Sequence, residues 1–185
     1  LSQRVRGQTT QLVGPNPFAV KPMRPETALP PQGDVHDFWA EVTAFSRTIN
    51  ATAQTLSEAQ SKVNLMAVAA TRAPGGDPAE FDNKVAAVRA EVLALDELLN
   101  GNAARNAIYE RTQPTVRSRL GRVYFGMFGS TYGPTQTHRD QLGYAKAEYG
   151  AIKARLETLV ERTIPVLESE LSAAGAPWVP GGRIP

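Results

Sequence analysis

The two histidines and the absence of cysteine limit the metal chemistry open to this chain. A zinc or iron site needs three or four converging ligands, and without cysteine the remaining ligands would all be carboxylates. His36 lies in an acidic helix start, and His138 lies at the start of a later helix. Neither has a companion at a spacing such as HExxH. Both are expected to be capping or interfacial imidazoles, and we predict no metal and no cofactor.

Paired carboxylates occur in two places, at Asp77, Glu80 and Asp82 and again at Asp96 and Glu97. A glycosidase would need two carboxyl groups held across a cleft. Both clusters fall at predicted helix ends or on polar helix faces, where carboxylates are normally solvated. The sequence therefore predicts no catalytic residue in this chain.

One stretch combines basic and aromatic residues. Its members are Arg105, Tyr109, Arg111, Arg117, Arg119, Arg122, Tyr124 and Phe125. An RNA or phosphate surface would use such residues, because guanidinium groups bind phosphate and rings stack on bases. The arginine spacing of two and three residues spreads the charges around a helix. This favours arginines paired with the acidic first and second helices, with contact to a protein partner as the next alternative.

Two further features could bind a ligand but favour packing. The glycine-rich residues 126–134 match neither GxGxxG after a strand nor a Walker loop. They are typical of a tight turn in which glycine lets backbones approach closely. Trp39 and Trp178 could form a ligand platform, but a tryptophan beside an apolar stripe usually fills a core or an interface.

The composition indicates one globular domain with an appendage. The chain has 185 residues and a net charge of +2, so a polyelectrolyte partner such as nucleic acid is not predicted. Residues 34–100 carry −5 and the rest of the chain +7, which indicates packing between segments of opposite charge. No run of 18 apolar residues exists, so no membrane span is predicted. Without an initiator Met or a signal peptide, the chain is expected to be a piece of a longer polypeptide.

Apolar residues at steps of three and four predict an all-α, up-down antiparallel bundle of three long helices and one shorter helix. The predicted helices span 34–72, 78–100, 114–128 and about 135–174. Asp34 and Asp77 are expected to cap the first two helices, and the last helix is expected to begin near Thr135 or Thr137. Pro165 predicts a kink near Val160 to Ile164.

The residues expected to face the core follow from these stripes. In the first helix they are Val35, Phe38, Val42, Phe45, Ile49, Ala53, Leu56, Val63 and Ala70. In the second they are Phe81, Val85, Val88, Val92, Leu95 and Leu99. In the third and fourth they are Val116, Leu120, Val123, Tyr124, Met127, Leu142, Ala145, Tyr149, Ile152, Leu156, Leu159, Val166, Leu167 and Leu171.

Residues 1–33 predict an extended, β-like and proline-rich arm, and residues 175–185 an extended tail, on either side of the bundle at 34–174. Alternation at 8–13 and 18–21 predicts two short strands around a turn at 14–17. The prolines from Pro22 to Pro31 exclude a helix and favour a stiff tether.

Two short motifs carry a family resemblance. They are Thr131-Tyr132-Gly133-Pro134-Thr135-Gln136-Thr137-His138-Arg139 and Ala174-Gly175-Ala176-Pro177-Trp178-Val179-Pro180-Gly181. With a long helix between them, they resemble the C-terminal region of large bacterial sortilin-like proteins, which carry BNR or Asp-box repeats and are labelled glycosyl-hydrolase-like. The arm sequence Gly14 to Val20 resembles the last strands before the helical region in that family.

The resemblance implies an exported protein, periplasmic, cell-surface or extracellular, whose preceding part holds a β-propeller. No Asp-box of the form Ser-x-Asp-x-Gly-x-x-Trp occurs in this chain, so no active-site residue can be carried over. The first hypothesis is a non-catalytic helical module that packs on the propeller or mediates assembly. The alternative is a fragment of an exported carbohydrate-active enzyme whose active site lies in the propeller, and a helical RNA-binding protein is a third hypothesis.

The expected partner is the β-propeller or β domain, in the same polypeptide or as a separate chain, with a homo-oligomer as another possibility. The residues predicted to contact a partner are Val13, Phe18, Val20, Arg117, Arg122, Tyr132, His138 and Trp178. The arm is expected to dock as a strand on something other than the bundle, because a lone hairpin is marginal in water.

Overall fold

A computed structural model of the chain describes residues 2–14, 16–20, 32–130, 132–177 and 179–180. The protein is mostly helical, as predicted, with a two-stranded sheet near its N-terminus. The strands are β1 (Ser2–Val5) and β2 (Gln8–Gln11). The helices are α1 (Gln32–Ala70), α2 (Pro78–Asn100), α3 (Ala103–Ala107), α4 (Val116–Phe128), α5 (Gln136–Thr158) and α6 (Ile164–Ala173), with a π-helical turn at Leu159–Thr163 between the last two.

The N-terminal hairpin differs from the predicted one. β1 and β2 pair antiparallel with Val5 opposite Gln8, so Arg6 and Gly7 form the turn. Both have positive φ, 50° and 85°, as in a type I′ turn. The strand predicted at 8–13 is thus correct in part, but its partner precedes it. Residues 16–20 form no strand, and Lys21 and the predicted tether at 22–31 lie outside the described residues.

Helix α1 begins two residues before its predicted start. Asp34 therefore lies in the first turn and is not the cap, although its charge still lies at the positive end of the helix dipole. The helix ends at Ala70, and the Arg72 and Ala73 amides donate to the carbonyls of Ala69 and Ala70, which closes a tight turn.

Helix α2 has the predicted bounds and caps. The Asp77 carboxylate accepts a hydrogen bond from the Ala79 amide at 2.9 Å, and Pro78 fills the first helical position, where no amide donor is needed. Gly101 ends the helix with a φ of 90°. A glycine tolerates this conformation, since it has no β-carbon.

Helix α4 lies where a helix was predicted from Pro114, whereas the short α3 precedes it in a stretch where no helix was predicted. The five residues of α3 carry no apolar stripe, so periodicity could not predict it. α4 starts at Val116, because Thr115 forms a capping box with Ser118: the Ser118 amide donates to the Thr115 hydroxyl, and the Thr115 amide donates to the Ser118 hydroxyl.

Helix α5 begins directly after its cap Thr135, close to the predicted start at Thr135 or Thr137. A kink was predicted near Val160 to Ile164, and the structure has a π-helical turn at Leu159–Thr163. Pro165 follows it within the first turn of α6, and since proline has no amide and its ring crowds the carbonyl four residues earlier, a regular α-helix cannot continue through this point.

All the helices except α3 contribute to one apolar core. All six stripe residues of α2 are buried, as predicted. α1 also buries Thr52, Ala59, Met66 and Ala69, which the stripe did not include. Tyr124 and Val166 were predicted to face inward but are 44% and 58% exposed. Thr52 is tolerated in the core because its hydroxyl donates to the Thr48 carbonyl and contacts the Tyr149 hydroxyl, each at 2.9 Å.

Ion pairs cross between the helices at their edges. Lys62 of α1 pairs with Glu168 of α6 at 2.9 Å, and Lys84 of α2 pairs with Glu170 at 2.8 Å. The Lys84 ammonium donates hydrogen bonds to the carboxylates of Glu170 and Glu80, which raises the pKa of Lys84. Such partly exposed pairs contribute little each, so most of the stability comes from the core.

Candidate interaction surface

The two histidines occupy capping or surface positions. His36 is exposed, with its Nδ1 3.2 Å from the Asp37 carboxylate. His138 completes a capping box: its amide donates to the Thr135 hydroxyl and its Nδ1 accepts from the Thr135 amide, both at 3.3 Å. The capping role predicted for His138 is therefore confirmed. Within the described residues no group of three or more His, Asp or Glu side chains could hold a metal ion.

The two carboxylate clusters are engaged locally, as expected for groups at helix ends. Asp77 caps α2, and Glu80 pairs with Lys84 one turn later. Asp96 accepts a hydrogen bond from the Asn100 amide group at 2.7 Å, and Glu97 accepts one from Asn102 at 2.5 Å. These carboxylates bind the ends of their own helix and do not face one another across a cleft.

A cleft of about 520 Å³ lies between α1 and the π-helical turn. Leu65, Val160 and Ile164 form its apolar part. Its ionisable groups already have partners, since Glu58 accepts from Gln54 and Lys62 pairs with Glu168. The cleft therefore offers no converging free charges of the kind that an active site needs.

Arg117 reaches the first two long helices, but its partners there are neutral. Its Nε donates to the side-chain carbonyl of Asn100 of α2 at 2.7 Å, and its Nη1 donates to that of Asn50 of α1 at 3.1 Å. Arg119 binds Glu148 and Gln141 of α5. The predicted ion pairs between this cluster and the acidic first and second helices were thus wrong, because amides stand at the positions that α4 reaches.

A group of aromatic rings lies on the solvent side where α4 meets the start of α1. The ring of Tyr124 meets those of Trp39 and Phe125 edge to face, with centroid distances of 5.5 Å and 5.7 Å. It stacks on the ring of Phe128 with a centroid distance of 6.1 Å. Phe125 and Phe128 are each 76% exposed. We call Trp39, Tyr124, Phe125 and Phe128 the aromatic face.

The helix geometry explains why these rings are not buried. The side of α4 that faces the core consists of Val116, Leu120, Val123 and Met127. Each residue advances about 100° around the helix, so positions 124, 125 and 128 lie roughly 70° to 180° away from that stripe. Trp39, by contrast, is partly buried and packs on the core, as predicted.

Gly126 lets α4 approach α5 on the other side of the same helix. A β-carbon at this position would collide with the His138 imidazole. Glycine thus allows a close approach at Gly126, but to a side chain and within α4, whereas the prediction was a close approach of backbones in a tight turn. The contact fixes the end of α4, and with it the aromatic face, against the first turn of α5.

Of the residues predicted to contact a partner, four lie on or near α4 and the start of α5, three lie in the N-terminal arm, and one lies outside the described residues. His138 and Arg117 are held by the contacts above, and Arg122 is exposed on α4. Tyr132 is 66% exposed just beyond α4. Phe18 and Val20 are 87% and 84% exposed and Val13 is 50% exposed, while Trp178 lies outside the described residues.

Phe125 and Phe128 were not predicted as contact residues, although the sequence carried a signal for them. Both fall outside the 116, 120, 123, 127 stripe that accounts for the core side of α4. Large apolar residues outside the stripe of a short helix must be either exposed or covered by another segment.

Tyr109 is a second exposed aromatic residue, and it lies in an unfavourable backbone conformation. Its φ is 56°, and its side chain is 94% exposed. The Tyr109 amide donates to the Asn106 carbonyl and the Glu110 amide to the Arg105 carbonyl, which together form a Schellman motif. Tyrosine thus occupies the position in this motif where glycine is preferred.

Comparison with known proteins identifies no relative. No protein-family model matches the chain, and no curated protein and no solved structure is significantly similar to it. In the part of the chain that the structure describes, no helix has both the length and the apolar character needed to cross a membrane.

Proposed function

We propose that this chain is a non-catalytic helical interaction module that binds a protein partner through the aromatic face. The observation that carries the proposal is the exposure of Phe125 and Phe128 beside Tyr124 and Trp39. Aromatic residues and arginine are enriched at protein interfaces and dominate their binding energy.

The rings of Phe125 and Phe128 are not needed to complete the core. Val116, Leu120, Val123 and Met127 already fill the inner side of α4, each at 7% exposure or less. Exposing two phenylalanines side by side is unfavourable for a free chain, since contiguous apolar surface promotes association. A partner that covers both rings would gain binding free energy of about 1.5 to 3 kcal/mol for each ring that it buries fully.

The helices would form an up-down bundle that holds this face rigid. Contacts of Trp39 with Tyr124 and of Asn50 with Arg117 support α4 running opposite to α1. The ion pairs of Glu41 with Lys146 and Lys62 with Glu168 support α5 and α6 running alongside α1 in the same direction. In this arrangement α2 and α4 lie end to end and form one antiparallel column, α1 forms the second, and α5 with α6 forms the third.

The N-terminal arm would provide a second contact. Residues 2–14 and 16–20 of the arm are all exposed, including both strands of the hairpin. An isolated two-stranded hairpin is marginally stable, and its outer edges offer unpaired backbone groups. Addition to a sheet of the partner would satisfy those groups. The division into arm 1–33, bundle 34–174 and tail 175–185 belongs to this proposal.

The partner that we propose is a β-propeller domain of an exported sortilin-like protein, in the same polypeptide or as a separate chain. The support is the resemblance in residues 131–139 and 174–181 and in Gly14 to Val20. The gene sequence upstream of Leu1 tests this part directly. A propeller with Asp-box repeats is expected there, and an unrelated upstream sequence would refute the sortilin-like parentage while leaving the interaction module in place.

Site-specific photo-crosslinking tests the interaction itself. A benzoylphenylalanine placed at Phe125 in the cells that make the protein should give one adduct of defined mass, which mass spectrometry identifies. The matched control is the same amino acid at Leu93, which is 51% exposed on α2. The adduct should also disappear when Phe128→Ser is added. Equal adducts at both positions, or none at Phe125, would refute the aromatic face as a binding surface.

A further inference from the structure

Helix α4 is the most one-sidedly charged of the long elements. It carries Arg117, Arg119 and Arg122 and no carboxylate. Its exposed side therefore combines positive charge with the rings of the aromatic face. The neighbours of each arginine decide how much of this charge is neutralised within the chain.

Only one of the three arginines meets a carboxylate among the described residues. Arg119 lies 2.9 Å from Glu148, and its side chain is 18% exposed. Arg117 is held by the carbonyl oxygens of Asn50 and Asn100, which satisfy its donors but carry no charge. Arg122 is exposed. Of the three positive charges of α4, one therefore has a carboxylate partner among the described residues and two do not.

Arg122 is placed to act together with the rings. It precedes Phe125 by three residues, and side chains at this spacing are neighbours on a helix surface. Tyr124 and Phe128 lie on the opposite edge of Phe125, toward Trp39 of α1. A partner lying across α4 would meet the rings and the guanidinium group of Arg122 together.

We infer that the aromatic face and Arg122 bind a polypeptide segment that presents carboxylates next to apolar or aromatic residues. This rests on the proposed function and specifies the chemistry of its partner. Guanidinium binds carboxylate through two parallel hydrogen bonds, and the gain is larger where neighbouring rings exclude water. Such a segment would bury its apolar residues on Phe125 and Phe128 and place a carboxylate on Arg122.

The charges favour a protein over a nucleic acid. Binding to a phosphate backbone requires several free cationic groups along its path. Arg119 is already paired and Arg117 is enclosed by two amides, which leaves Arg122 as the free cation of α4 among the described residues. One such group suits a single carboxylate better than a row of phosphates.

The test is a selection of 12-residue peptides from a random phage-displayed library on the wild-type chain. Binding of synthetic copies is then measured by fluorescence anisotropy at physiological salt. We expect enrichment of Asp or Glu beside aromatic or large aliphatic residues. Arg122→Glu should weaken binding about tenfold or more, since it replaces an attraction by a repulsion. Arg162→Glu, an exposed control, should not change it.

The outcomes separate this inference from the proposed function. If peptides bind and depend on Phe125 and Phe128 but are indifferent to Arg122→Glu and to amidation of their carboxylates, the acidic partner is refuted alone. If no peptide depends on the two rings, both are refuted. Tighter binding of a 20-residue thymidine oligonucleotide that is lost in Phe125→Ser would indicate a nucleic acid instead. Self-association in sedimentation that Phe125→Ser/Phe128→Ser abolishes would make a second copy the occupant.

Discussion

Helices α2 and α4 differ in the large apolar residues that they leave outside the buried stripe. In α2 these are the aliphatic Leu93 and Leu98, each about half exposed, and in α4 they are aromatic rings. In α2 the stripe of six apolar residues from Phe81 to Leu99 is buried completely. In α4 a stripe of four is buried as well, but Tyr124, Phe125 and Phe128 lie outside it and remain exposed. The comparison shows that exposure of large rings on α4 is not required by the fold, since α2 packs without any exposed aromatic residue. The rings of α4 are therefore the residues on which the proposed binding role rests.

The largest loss of stability is expected from a substitution on the side of α2 that faces the core. Leu95 is 0% exposed, so Leu95→Ala should reduce the free energy of unfolding in urea by about 2 to 5 kcal/mol. The control is Leu98→Ala in the same helix, where the side chain is 48% exposed and the loss should stay below about 1 kcal/mol. Similar losses for both variants would break the contrast between the buried stripe and the exposed residues.

A smaller effect is expected where α4 meets α5. Gly126→Ala places a β-carbon against the His138 imidazole, which must leave its capping box. Gly121→Ala is the matched control, because nothing lies within 4 Å of a β-carbon there. In urea, Gly121→Ala should raise the free energy of unfolding by roughly 0.5 to 1 kcal/mol. The free energy of unfolding of Gly126→Ala should lie at least about 1 kcal/mol below that of this control.

The reversal of this effect provides a check on its cause. In a His138→Ala background the collision is absent, so Gly126→Ala should then stabilise the protein as Gly121→Ala does. If Gly126→Ala remains destabilising in that background, the close approach to His138 is not the reason.

The smallest effect on stability is expected at Tyr109, in the connection between α2 and α4. Tyr109→Gly removes the strain of a positive φ at a side chain that is 94% exposed, so the protein should gain about 1 kcal/mol. Tyr109→Ala should not gain, because alanine keeps the β-carbon. Thermal unfolding of the two variants side by side measures the difference, and equal stability would mean that the positive φ carries no cost.

The sequence predicted α2 almost completely, and local physics explains why. An apolar residue every three or four positions, a capping Asp77 followed by Pro78, and Gly101 at the end are all local signals. The turn at Arg6 and Gly7 lacked the usual Asn-Gly or Asp-Gly signal, and the strand segments were therefore misplaced. The five residues of α3 were too few for a periodic pattern.

The candidate site was less predictable, because its contacts join residues far apart in the sequence. The partners of Arg117 on α1 and α2 depend on how three helices meet, and no spacing within α4 indicates two asparagines. Tyr124 fits the apolar period of α4 but points beside the core, toward Trp39. Periodicity identifies the residues of one face, whereas neighbouring helices decide how wide the buried part of that face is.

The most direct test of the account is urea unfolding of Phe125→Ser/Phe128→Ser. Serine has about the same helix propensity as phenylalanine, so the variant isolates the contribution of the two rings. Since each ring is 76% exposed, the account predicts a loss below about 1.5 kcal/mol with helical content unchanged by circular dichroism. A loss as large as that of Leu95→Ala, or a fall in helical content, would show that the rings hold the fold together and would contradict the account.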